Sequence, residues 1–79
     1  MSPHYKKTWY EIAESYDEGG TMTVETFDTL QEAKKYVGSY VFTAESEVEF
    51  IFIDRWVEED GVTRKDTSFK SLITKSINN

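Results

Sequence analysis

Residues 47–57 read EVEFIFIDRWV, and this run constrains the fold more than any other. Its middle is apolar at both parities of an extended chain, with Phe50 and Phe52 on one side and Ile51 and Ile53 on the other. Ile, Val, Phe and Trp favour strands. The run is bounded by acidic residues before it and by Glu58, Glu59, Asp60 and Gly61 after it, so it predicts a central strand. A strand apolar on both faces needs cover on both, or it leaves one as an associating surface.

Residues 8–16 alternate, with Tyr10 and Ile12 on one side and Trp9 and Ala13 on the other, as a half-buried strand does. Asp17, Glu18, Gly19 and Gly20 form a turn signal, and residues 21–27 follow as a second strand, closing a hairpin. Thr29 with Glu32 three residues later marks a helix start of the capping-box kind. Leu30, Ala33 and Val37 make its buried stripe, and Gly38 is the expected stop. Residues 39–46 either continue the helix or run extended against the core. Asp60 and Gly61 open a second hairpin into a polar edge strand over 62–69. The tail, with Leu72, Ile73 and Ile77, fits a short helix or an extended lid.

The order β-β-α-β-β predicts an α+β domain: a four-stranded, mainly antiparallel sheet with one helix packed on one face. At 79 residues the chain is one domain, with 1–7 and 76–79 expected to be flexible. Taking Phe50 and Phe52 as the helix-facing pair leaves Trp9, Ala13, Ile51, Ile53 and Val57 on the uncovered face. Something must cover them, and a symmetric second copy is the simplest candidate.

Charge is unevenly spread. Residues 11–60 hold 14 of the 15 carboxylates against Lys34, Lys35 and Arg55, a segment of −11 within a chain of net −6. The first ten residues add +2 and the last nineteen +3. An acidic body repels phosphate, so direct nucleic-acid binding is disfavoured and a basic protein partner is favoured. Glu45, Glu47 and Glu49 are expected to share a strand face about 6.6 Å apart, near the spacing of phosphates along a strand. Asp17 and Glu18 in one turn, and Glu58, Glu59 and Asp60 in the other, add carboxylates that such a partner would read. The competing explanation is that these acids keep a sticky sheet soluble.

Catalytic sets are missing. There is no cysteine, the single histidine is His4, and no G-x-S-x-G or phosphate-loop pattern occurs, so neither an enzyme, a metal nor a cofactor is predicted. Asp54 interrupts the apolar run and is expected to pair with Arg64, Lys65 or a backbone amide. No run is long enough to span a membrane, and a chain without cysteine suits the reducing cytoplasm.

The chain thus reads as a small acidic non-catalytic protein-binding domain, an inhibitor or adaptor presenting carboxylates to a basic partner. In kind it is similar to the small, acidic, cysteine-free inhibitors of phages and mobile elements, anti-CRISPR proteins among them. The alternatives are an accessory protein that dimerises through the uncovered sheet face, and a nucleic-acid binder using the basic termini.

Overall fold

The central run forms β3, Val48–Glu59, and every other strand but one pairs with it directly. The structure, a computed structural model, describes residues 5–43 and 47–76, the last five through their backbone. β1 (Lys6–Tyr16) lies antiparallel along one side of β3, and β2 (Thr21–Phe27) lies antiparallel outside β1. On the other side of β3, β4 (Val62–Lys65) pairs with its C-terminal third and β5 (Leu72–Ser76) with Phe50–Ile53. The sheet order is β2-β1-β3-β4, with β5 sharing the β4 edge. The α+β architecture and the β-β-α-β-β order stand, with a fifth strand added.

Local chemistry sets the boundaries. Asp60 and Gly61 both have positive φ, 52° and 87°, the backbone that a two-residue hairpin needs to match strand twist. β4 stops at Lys65 because Asp66 turns the chain: its Oδ1 accepts from the Ser68 amide at 3.0 Å and from the Ser68 hydroxyl at 2.6 Å. The polar edge strand is therefore four residues long, not eight. The tail then meets the stretch of β3 that β4 leaves without a partner and completes it as a strand rather than as a helix. Lys6 and Lys7, expected to be flexible, belong to β1 opposite Glu59 and Glu58.

The helix α1 spans Leu30–Ser39. The Thr29 hydroxyl accepts from the Glu32 amide at 3.2 Å and donates to Glu32 Oε1 at 2.9 Å, so the cap forms as expected while the carboxylate returns to the hydroxyl. Gly38 does not end the helix. It runs one residue further, and the Tyr40 amide closes it on the Val37 carbonyl at 3.1 Å. Residues 40–43 are extended; Tyr40 and Phe42 pack on the core with rings edge-on at 4.9 Å, and Val41 is 75% exposed.

The core lies between α1 and one sheet face: Ala33 and Val37 from the helix, Ile12, Val48, Ile51 and Ile53 from the sheet. Register explains the set. Ile12 stands opposite Ile53 and Glu14 opposite Ile51, and antiparallel partners share a face. Ile51 and Ile53 are 0% exposed and Val57, further along at the same parity, 1%. The assignment of Ile51, Ile53 and Val57 to the uncovered face is therefore corrected. Because β1 presents Ile12 to the helix, its register partner Ile53 must follow, and Phe50 and Phe52 fall on the other side.

Two register irregularities add core residues that strict alternation would lose. One, between Ile12 and Ala13, falls where β2 carries Val24 as an extra residue, so Val24 and Phe27, three apart, both reach the core. The other, between Ser15 and Tyr16, falls at Glu49, so Val48 and Ile51 both reach it.

Candidate functional site

The face of the sheet away from α1 carries no second layer among the described residues. Reading the register across β1 and β3, its rows are Lys7 with Glu58, Trp9 with Trp56, Glu11 with Asp54, Ala13 with Phe52, and Ser15 with Phe50. Thr21, Thr23 and Thr26 flank these rows from β2, and Thr63 and Lys65 from β4. Both tryptophans of the chain are therefore on this face, half-buried like Phe50 and Phe52, whose rings meet at 5.9 Å. Of the expected apolar interface, Trp9 lies on this face, and so does Ala13, two rows along. Phe50, Phe52 and Trp56 replace Ile51, Ile53 and Val57. The signal that could have found them is the β1 pattern: Tyr10 and Ile12 fix its inner parity, and an antiparallel partner inherits it.

The polar row is held from both sides. Glu11 Oε2 accepts from Trp9 Nε1 at 3.0 Å and Glu11 Oε1 from the Thr23 hydroxyl at 3.2 Å. Asp54, 6% exposed, accepts from the Ser71 hydroxyl and has Lys65 Nζ at 3.6 Å, so its expected pairing with Lys65 is present. A buried carboxylate without such partners would cost several kcal/mol, roughly, in desolvation. Beside Trp9, a depression of about 320 Å³ is lined by Lys7, Trp9, Thr26, Phe27, Asp28, Glu58 and Thr63.

The candidate carboxylates are dispersed. The Asp17 amide donates to the Glu47 carbonyl at 3.0 Å, which gathers Asp17, Glu18 and Glu47 at one end of β3. Glu58, Glu59 and Asp60 lie at the other end, about 36 Å away by strand rise. There Lys7 stands opposite Glu58, and Arg64 approaches Glu59 at 3.5 Å. Glu47 precedes β3 and Glu49 sits at its register slip, so the two do not form an evenly spaced row on one strand. Glu45 and His4 lie outside the described residues.

On the helix side two further polar clusters pin the ends of the core. Glu14 accepts from the Tyr16 and Tyr40 hydroxyls, each at 2.8 Å. Burial first, and then this hydrogen bond, pushes the Tyr40 hydroxyl above its ordinary value, and the same carboxylate raises Tyr16. Arg55 Nε donates to Asp66 Oδ2 at 2.8 Å, and its guanidinium lies 5.0 Å from the Phe69 ring centre. Hydrogen bonds from the Ser68 side chain and amide, with Arg55 adding, hold Asp66 at about 2. Among the described residues no group of three or more His, Cys, Asp or Glu is arranged to hold a metal ion, and no helix is long and apolar enough to cross a membrane.

No protein-family model matches the chain, and no curated protein or solved structure matches it either. Fold and site together define a class: a small α+β domain with its helix on one side of an antiparallel sheet and an aromatic surface on the other.

Proposed function

We propose that the chain is a non-catalytic protein-interaction domain whose working surface is the open face of its sheet. The observation that carries this reading is the placement of Trp9, Trp56, Phe50 and Phe52 on a face with no covering layer among the described residues. Large apolar patches on a folded surface mark contact sites, and aromatic residues dominate the energetics of such contacts. Aromatic rows on either side of a hydrogen-bonded polar row, flanked by threonines, combine apolar contact area with satisfied polar groups, as protein interfaces do. It works as an inhibitor or adaptor does, by occupying a surface. A chain free of cysteine suits a cytoplasmic setting.

A second reading places a basic partner at the end where Asp17, Glu18 and Glu47 come together. Imitation of a nucleic-acid duplex has less support, because a separation of about 36 Å between the two acidic ends leaves no continuous row. Nucleic-acid binding has less again, since Lys6, Lys7 and Arg64 stand beside Glu58 and Glu59.

Photo-cross-linking in the cells that make the protein tests the assignment. A photoreactive residue replacing Phe52 should give a discrete protein adduct, a second copy included, and one replacing Gln31 on the exposed side of α1 should not. Equal yields from both positions, or an adduct from position 31 alone, would overturn it.

A further inference from the structure

We infer that the occupant of the open face is a second copy of this chain, related by a two-fold axis. This occupant presupposes that the open face is the contact surface, and it names what meets that face.

Charge favours a second copy. The chain carries −6, so most of its surface repels its own kind. The open face is the exception. Lys7 stands opposite Glu58 and Lys65 pairs with Asp54, which leaves Glu11, its carboxylate engaged by Trp9 and Thr23, and Asp28, at the edge of the face in the depression beside Trp9, outside these two pairs among the described residues there. A face whose charges are mostly paired offers a basic partner little attraction and opposes two copies less than the rest of the surface does. Large and small residues also share rows, Phe52 with Ala13 and Phe50 with Ser15, so two such faces can interdigitate as the inner faces of a sandwich do.

Area is sufficient for it. From Lys7 to Ser15 the face runs about 27 Å, and four strands make it about 19 Å wide, a flat footprint of about 500 Å². Two copies would thus bury about 1,000 Å² in total, at the threshold for a specific interface. An interface of that size, isologous and with Trp9 and Trp56 within it, suits reversible dimerisation at roughly micromolar concentrations or above.

The tryptophans report the contact directly, because both lie in it. Sedimentation equilibrium from about 1 µM to about 1 mM covers the weaker affinities that interfaces of this size reach. Across that range the mass should rise from 9.2 kDa towards twice that. Over the same range tryptophan emission should shift to the blue and become harder to quench with acrylamide. Raising the salt should tighten association, because it screens repulsion between two acidic copies. Phe52→Asp should weaken the dimer more than tenfold, roughly, as a charge buried in an apolar interface does. Val41→Asp, at an exposed site away from the face, should leave it unchanged. Glu11→Gln, which keeps an acceptor for Trp9, should tighten it several-fold.

A chain that stays monomeric with quenchable tryptophans refutes the second copy and leaves the open face standing. A monomer whose tryptophans are shielded refutes both. A dimer indifferent to Phe52→Asp and to Trp9→Ser is formed elsewhere and also overturns the inference. So does a basic peptide that shields the tryptophans of the monomer, with salt and Glu11→Gln weakening that binding, or a single-stranded oligonucleotide that shields them, with salt weakening and Glu11→Gln strengthening it.

Discussion

Replacing Ile53 by Ala and, separately, Phe52 by Ala separates the two faces of β3 with adjacent residues. Ile53 is 0% exposed, stands opposite Ile12 and packs in the cluster that includes Ala33 and Val37. Ile→Ala removes three carbons, about 2.4 kcal/mol of transfer free energy. The unfilled cavity brings the cost to about 3–4 kcal/mol. A domain of this length has about 4–12 kcal/mol in all, so Ile53→Ala takes a large share of it. The midpoint should fall by about 12–30 °C. Phe52 is half-buried on the open face, with the Phe50 ring 5.9 Å away, so its loss should cost about 1 kcal/mol and less than about 8 °C. The assay is urea and thermal unfolding followed by far-ultraviolet circular dichroism. It is run at low micromolar protein, because association through the open face would otherwise add to the apparent stability. Equal losses, or a larger loss at Phe52, would show that the helix covers the Phe50 and Phe52 side, and the aromatic site on the opposite face would fall with it.

Three further outcomes follow from the polar clusters and the helix cap. Asp66, held at about 2, contributes stability that is present above the ordinary carboxylate range and is lost as pH falls from about 4 through 2. The acid limb of the melting profile should be shallower in Asp66→Asn than in the parent, and superimposable limbs would remove Asp66 from the account. Tyr40 behaves with the opposite sense: its raised pKa means the folded state keeps a proton that the unfolded chain releases above about pH 10, so stability falls as pH rises past that point. Tyr40→Phe should cost about 1–2 kcal/mol at neutral pH and flatten the alkaline limb; an unchanged limb would count against the Glu14 contact. Thr29→Ala should cost about 1 kcal/mol by urea titration, and Thr29→Ser should recover most of it, whereas equal losses would point to the methyl group instead of the cap.

Much of this fold is written in local pattern. The alternation about Tyr10 and Ile12, the glycines at 19, 20 and 61, the Thr29 cap and the apolar run of β3 each declare an element through backbone geometry or periodicity. They declare it wherever the rest of the chain lies. The charge division is equally a property of the residues alone. Other features depend on contacts distant in sequence. A run apolar at both parities is symmetric to any local reading, so pairing with β1 alone decided that Ile51, Ile53 and Val57 turn inward and Phe50, Phe52 and Trp56 outward. The bulges at Val24 and Glu49 shift parity within a strand without a distinct local signal, and they moved Val48 into the core and broke the expected row of carboxylates. The tail's apolar spacing suits helix and strand alike; the length of β3 left without a partner by β4 selects the strand. Elements are fixed by neighbours in sequence, but the face a side chain occupies is fixed by the register of whichever strand hydrogen-bonds beside it.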